Sequence, residues 1–213
     1  MIGVLDYGLG NLRSVVRGFD RAGARAEPCN DPAKLSGYDR AVLPGVGAFG
    51  DGMARLHQGG WAEVLRQFAQ SGRPLLGVCL GMQLLLDRST ETAGDTPEPG
   101  LGLIPGGVQA FDHPCGPQGQ RLKVPHMGWN TLNPTGDTAH PLLQGIRPDD
   151  HVYFVHGYHA RCEDDASVLA TCDYGGPFAA VIGRGNLVAT QFHPEKSQRV
   201  GLAMLDRFAR WSP

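Results

Sequence analysis

The chain has 213 residues, 41% of them hydrophobic, and a net charge of −2. It is long enough to bury a substantial core as one domain over 1–213. The near-neutral balance argues against nucleic acid or a membrane surface as the main partner, and no stretch approaches the roughly 18 apolar residues of a membrane span. The start, Met1-Ile2-Gly3-Val4-Leu5-Asp6, lacks the basic region of a signal peptide, so a cytoplasmic protein is expected. The five cysteines are Cys29, Cys79, Cys115, Cys162 and Cys172. They are odd in number and widely spaced without Cys-x-x-Cys, and so read as reduced thiols rather than a disulfide framework or a zinc site.

In chain order, Ile2–Leu5 reads as a strand. A Gly-rich turn, Asp6 to Asn11, then feeds a helix from Leu12 to Ala22, with Asn11 as its N-cap. Ala41–Leu43 is the next apolar run and ends in Pro44-Gly45-Val46-Gly47-Ala48-Phe49-Gly50, read as a loop. Trp61–Gln70 has helical spacing, Leu75–Val78 reads as the third strand, and Met82–Leu86 as the helix after it. Strand–helix alternation through residue 86 predicts an α/β fold with a mostly parallel central sheet and helices on both faces. In such sheets reactive groups collect at the carboxyl ends of the strands, where Pro44–Gly50 and Cys79 lie. Thr90–Gly102 reads as a loop. The second half then changes to short strands, Val108–Phe111, Val152–Val155, Ser167–Thr171, Phe178–Ile182 and Leu187–Gln191, which predict an antiparallel extension. The last two flank Gly183-Arg184-Gly185-Asn186 as a hairpin, and an amphipathic helix follows from Gln198 to Trp211.

Gly77-Val78-Cys79-Leu80-Gly81 between a strand and a helix has the form of a nucleophile elbow. Small flanking residues suit a tight turn, and a thiol at a helix N-terminus is biased toward thiolate. The Leu80 N–H would then meet a developing oxyanion. A free cysteine is more commonly an inert buried group, and the other four keep that reading. A thiolate needs a proton carrier. Phe192-His193-Pro194-Glu195 closes the last predicted strand. Pro194 biases His193 toward extended backbone, where i and i+2 share a side, so Glu195 would orient the imidazole. The glycines of Pro44–Gly50 could instead cradle a phosphate, but the loop matches neither nucleotide fingerprint. The stronger reading is a second oxyanion N–H. Gly45 and Gly47 would also let a peptide there flip at low steric cost. His126-Met127-Gly128-Trp129-Asn130 reads either as core packing or as a partner contact, and so do Tyr153 and His156. His57, His113, His140, His151 and His159 read as surface or loop residues.

Together these residues resemble class I glutamine amidotransferases of the cysteine-triad type, with a flavodoxin-like fold. Six separated blocks are similar to the glutaminase subunits of imidazole glycerol phosphate synthase. They begin at Asp6, Pro44, Gly100, Pro125, Tyr153 and Gln191, and span nearly the whole chain. The resemblance implies glutamine hydrolysis through a glutamyl thioester. It also implies ammonia transfer to a (β/α)₈-barrel cyclase subunit in a heterodimer of histidine biosynthesis, with no cofactor or metal for the hydrolytic step. Carried over by position, Cys79 is the nucleophile, His193 the general base and acid, and Glu195 the orienting acid. Val46 and Leu80 donate the oxyanion N–H groups, and Gly47, Gln83 and Glu91 hold the glutamine head. Gly157 stands where the family usually has serine, and Ser89-Thr90-Glu91 keeps one acidic residue where the family often has two. Three rivals stay open: a glutaminase serving another synthase, a free-standing cysteine peptidase or γ-glutamyl hydrolase, and a non-enzymatic scaffold.

Overall fold

Apolar residues in the early strands alternate between two destinations, and that alternation builds the layers. The structure is a computed structural model describing residues 1–91, 96–136 and 140–213. The first half runs β1 (Ile2–Leu5), α1 (Leu12–Arg21), β2 (Ala26–Cys29), β3 (Arg40–Leu43), α2 (Phe49–Gln58), α3 (Trp61–Gln70), β4 (Leu75–Val78) and α4 (Leu80–Leu84). Then follow β5 (Arg88–Ser89), β6 (Glu98–Pro99), β7 (Gly106–Ala110), β8 (His126–Thr131), β9 (Asn133–Pro134), β10 (His151–His156), β11 (Tyr158–Cys162) and β12 (Val168–Asp173). The chain closes with β13 (Pro177–Arg184), β14 (Leu187–Thr190) and α5 (Gln198–Arg210).

Leu5, Ala41, Leu43 and Leu75 face one core with Phe49, Leu56 and Leu65 from α2 and α3. Val4, Val42, Leu76 and Val78 face the other, with Phe19 of α1 and Met204 and Phe208 of α5. This period of two along each strand puts helices on both faces of the sheet. Phe19 and Phe208 are fully buried with ring centroids 6.1 Å apart. Each contributes roughly 1.5–3 kcal/mol by leaving water.

Among the described residues the main sheet runs β2-β1-β3-β4-β14-β13-β11-β7-β5-β6. The pairs from β2 to β14 are parallel, and β14–β13, β13–β11 and β11–β7 are antiparallel. This is the expected parallel sheet with its antiparallel extension. β8 and β10 form a separate antiparallel ribbon, with His126 opposite His156. No helix among the described residues is long and apolar enough to cross a membrane.

Asn11 caps α1 as expected, its side chain accepting from the Ser14 N–H at 3.1 Å. The β13–β14 hairpin pairs Arg184 with Leu187 around Gly185-Asn186. Several elements differ from the sequence reading. Leu75–Val78 is the fourth strand, because Ala26–Cys29 pairs with β1 although two of its four residues are exposed. The helix after the elbow starts at Leu80 and ends at Leu84. Phe49 and Gly50 belong to α2 rather than to the loop. The glycines of α2 serve packing there: a Cβ on Gly52 would sit 3.0 Å from Leu84 Cδ2. Thr90–Gly102, read as loop, includes the short β6, and residues 92–95 of that stretch lie outside the described residues.

Candidate active site

β4 delivers Cys79 to the carboxyl edge of the sheet, and its backbone is anchored there by the Cys79 N–H donating to the Thr190 carbonyl at 2.8 Å. Cys79 has φ 56° and ψ −112°, a conformation rare for a residue with a side chain. Holding it costs on the order of 1–3 kcal/mol, which the surrounding packing offsets. A Cβ on Gly81 would run into the Leu43 carbonyl oxygen, and one on Gly77 would lie 3.0 Å from the Gly81 oxygen. Backbone thus passes directly over backbone on both sides of the thiol, so the flanking glycines are a steric requirement of the elbow. Leu80 opens α4, so its N–H is among those a helix leaves without an intrahelical acceptor.

Cys79, Leu80, Val46, Gly47, Gln83, Glu91 and His193 line one cavity of about 290 Å³, closed on the far side by Val155 to Tyr158. Seven of the eight residues singled out from the sequence therefore meet at one place. The eighth, Glu195, stands behind His193 and accepts from its Nδ1 at 2.8 Å, with both side chains buried. The expected extended i, i+2 arrangement is not how they meet. His193 is extended, but Pro194–Lys196 is a 3₁₀ turn capped by His193, and this turn brings the carboxylate back to the imidazole. Ser197 reinforces the turn, its hydroxyl donating to the His193 carbonyl at 2.6 Å. Burial alone would push the His193 pKa down, but the neighbouring Cys79 and Glu195 outweigh it and hold the imidazole up at about 9. Nε2 is buried and makes no closed hydrogen bond among the described residues, although Cys79 lies near enough to raise the imidazole as a hydrogen-bonding neighbour. Such bonds commonly tighten only when a substrate is seated.

The Pro44–Ala48 loop is held from below. The buried Tyr7 hydroxyl donates to the Pro44 carbonyl at 2.7 Å. A Cβ on Gly45 would lie 2.7 Å from that hydroxyl and 2.8 Å from Leu80 Cβ. Gly47 has φ +100°, which only glycine adopts readily. Glu91 ties the loop's far end, accepting from the Phe49 N–H at the start of α2 at 2.7 Å, where the helix dipole favours a carboxylate. The Gln83 amide nitrogen donates to the Tyr158 carbonyl at 3.1 Å and to Gln191 Oε1 at 3.0 Å. Its NH₂ group is therefore committed within the protein.

Sequence reasoning missed two contributors. Gln191 is fully buried and directs its Nε2 at the Cys79 sulfur, 3.9 Å away. Its place beside Phe192-His193 was the available signal. Tyr7 was read only as part of a turn. Of the histidines read as surface or loop residues, His57, His113 and His151 are exposed. His140 and His159 are half-buried, and His159 packs against Phe111 with tilted rings and centroids 4.9 Å apart. In the β8 block His126 is buried, as the core-packing reading expects, whereas Met127 is 64% exposed and Trp129 46%.

A buried thiol, an imidazole held near its cationic form by a carboxylate, and a helix-opening N–H at one cavity are what attack on a carbonyl carbon requires. The family model for glutamine amidotransferase class-I matches residues 3–210. The imidazole glycerol phosphate synthase subunit HisH of Syntrophotalea carbinolica is 49% identical over 208 residues, covering 98% of each chain. The protein of the same description from Rhodospirillum rubrum is 49% identical, covering 100% of this chain and 99% of its own. Among solved structures, one described as a glutamine amidotransferase superposes with a TM-score of 0.72 at 20% identity, covering 99% of both chains. Another, described as PurLQS from Thermotoga maritima, gives 0.69 at 20%, covering 98% of this chain and 95% of that one. The chain belongs to the class I glutamine amidotransferases.

Proposed function

We propose that the whole chain is one glutaminase domain, the subunit of a cytoplasmic imidazole glycerol phosphate synthase that supplies ammonia for histidine biosynthesis. The observation that carries the chemistry is the meeting of the Cys79 elbow and the His193–Glu195 pair at one cavity. Cys79 Sγ attacks the carboxamide carbon of glutamine, and a C–S bond forms. The oxyanion lies against the N–H groups of Leu80 and Val46. His193 gives its Nε2 proton to the amide nitrogen, the C–N bond breaks and ammonia leaves. Water then attacks the thioester while His193 takes a proton, the C–S bond breaks and glutamate is released. Glu195 keeps the imidazole oriented and stabilises its cation. Glu91, Gln83 and Gly47 face the amino-acid head, Glu91 offering negative charge to its ammonium.

The ammonia is handed to a (β/α)₈-barrel cyclase subunit in a heterodimer. The relatives' description as a synthase subunit supports a partner. So do the exposed large hydrophobics Met127, Trp129, Val124 and Val46: Val46 lines the cavity, Met127 pairs with Val155 and Val124 lies beside Gly157, both cavity-lining residues. Exposed apolar residues gathered at a reactive cavity are the mark of an interaction surface. Val46 belongs both to that surface and to the cavity lining, so partner binding would bear directly on the oxyanion loop. Gly45 and Gly47 allow the peptide there to reorient when the partner is loaded.

Glutamate release is the test, compared for the chain alone, the chain with its cyclase and that subunit's ribonucleotide ligand, and the same mixture with Cys79→Ala. Activation by the loaded partner, abolished by the substitution, is expected. High activity without partner would replace this reading with a free-standing hydrolase. Equal turnover with and without the ligand would remove the loop switch.

A further inference from the structure

Behind the cavity a second polar system runs from the ribbon to the nucleophile, and none of its bonds is used in the chemistry described above. It starts at His126 on β8. That imidazole is buried between the Phe154 and Tyr174 rings, with centroids 4.8 and 4.0 Å away. His126 Nδ1 meets His156 Nε2 at 3.2 Å, and His156 Nδ1 meets the Tyr158 carbonyl oxygen at 2.7 Å. The direction of these bonds follows from chemistry. A carbonyl only accepts, so His156 carries its proton on Nδ1 and leaves Nε2 as acceptor. His126 therefore donates from Nδ1. Burial pushes the imidazole pKa down to about 4 for His126 and about 3 for His156, so both rings are neutral at pH 7 and the direction is stable.

The chain continues past Tyr158. The same carbonyl accepts from Gln83 Nε2 at 3.1 Å, so both its lone pairs are occupied. Gln83 Nε2 also donates to Gln191 Oε1 at 3.0 Å, and Gln191 Nε2 donates to Cys79 Sγ at 3.9 Å. Gln83 and Gln191 are buried. A continuous hydrogen-bonded path thus joins β8, whose outer face exposes Met127 and Trp129, to the reacting sulfur.

We propose that His126 is a positioning residue for Cys79, acting through His156, the Tyr158 carbonyl, Gln83 and Gln191, and that Gln191 is the direct donor that holds the sulfur. His126 fixes His156, which with Gln83 fixes the Tyr158 carbonyl. Gln83 in turn orients the Gln191 amide so that its N–H, and not its oxygen, faces the sulfur. Without that bias the Gln191 oxygen would face the thiolate and repel it. The proposal rests on the glutaminase reading only for its kinetic consequence, because the reactivity of Cys79 can be read without glutamine.

The test uses the full chain in complex with its cyclase subunit and three variants. Gln191→Met removes the donor and keeps the volume. His126→Phe keeps the ring stack and loses the donor. His126→Asn keeps a donor at the Nδ1 position. Two readouts are taken: the iodoacetamide alkylation rate of Cys79 at pH 7, and kcat and KM for glutamine. Expected is a tenfold slower alkylation and lower kcat in Gln191→Met, and a threefold to fivefold loss in both in His126→Phe. His126→Asn should recover most of that loss, with KM changing less than kcat. Wild-type alkylation and kcat in His126→Phe at an unchanged melting temperature would overturn the inference, as would equal damage in His126→Asn. Should His126→Phe fail to fold, ¹⁵N imidazole spectra of the wild type decide. Nδ1–H tautomers at both 126 and 156 are expected, and an Nε2–H at 156 would overturn the path. A wild-type complex inert toward glutamine but with the expected alkylation pattern would sink the glutaminase reading alone.

Discussion

The two walls of the cavity are held by different physics. The Cys79 wall is backbone pressed on backbone: Gly81 lies on the Leu43 carbonyl and Gly77 on the Gly81 carbonyl, with β3 and β14 flanking β4 in the sheet. The facing wall, Val155 to Tyr158, runs from the end of β10 in the two-stranded ribbon to the start of β11 in the main sheet. Hydrogen bonds tie it in, the Tyr153 carbonyl to the His193 N–H at 3.0 Å, the Val155 carbonyl to the Cys79 thiol at 3.9 Å and the Tyr158 carbonyl to Gln83 at 3.1 Å, and the fully buried Val152 and Phe154 anchor the ribbon in the second core. Such bonds contribute about 0.5–1.5 kcal/mol each. The Cys79 wall is therefore set by backbone sterics, and the facing wall by side-chain packing and hydrogen bonds.

The sharpest way to break this contrast is Gly81→Ala. The new methyl has no space against the Leu43 carbonyl, so a loss of roughly 3 kcal/mol or outright failure to fold is expected. Wild-type thermal melting would show that the elbow is not sterically set. Next in size is Glu195→Gln. It leaves the shape but removes the carboxylate, and kcat for glutamine should drop roughly 10²-fold or more, with the His193 imidazole titrating well below about 9 by NMR. The sign for stability follows from that raised value. The folded state favours the imidazolium, so this contribution is complete below about 6.5 and is lost as pH rises through about 9. Melting temperature should fall over that window in the wild type and fall less in the variant.

The ribbon wall has the opposite pH signature. His126 and His156 are held neutral by burial, with pKa values of about 4 and about 3 against 6.5 in the open. Above 6.5 neither state takes a proton. Below it the unfolded chain does and the folded chain does not, so stability falls as pH drops from about 6.5 to about 4. Denaturant titrations of the wild type and His126→Phe should show a shallower acid loss in the variant, and parallel curves would contradict the buried pair. The smallest effect is expected from Gly157→Ser. A Cβ there meets only Val124 Cγ1 at 3.7 Å, and the backbone is not left-handed. Stability should stay within about ±0.5 kcal/mol.

The same contrast explains what could be read without coordinates. The Cys79 wall is local in sequence, because Gly-x-Cys-x-Gly after an apolar run dictates its own turn, and strand–helix alternation predicted helices on both faces of the sheet. The His193–Glu195 contact was legible as a pair, but its geometry was not, since Pro194 opens a 3₁₀ turn instead of continuing the strand. β2 was missed because Glu27 and Pro28 are exposed, and α2 because its first residues, Phe49 and Gly50, were read as the end of the loop. The Gln83–Gln191 and His126–His156 contacts join positions 108 and 30 residues apart. Neither carries a local signal, so only the fold brings them together.

The most direct measurement is peptide mapping after incubation with a glutamine analogue that carries a chloromethyl ketone in place of its carboxamide. One adduct is expected, on Cys79, suppressed by excess glutamine. The exposed Cys115 serves as the internal comparison for unguided reactivity. Labelling that favours Cys115, or that glutamine does not suppress, would contradict a glutamine-binding cavity with Cys79 as its nucleophile.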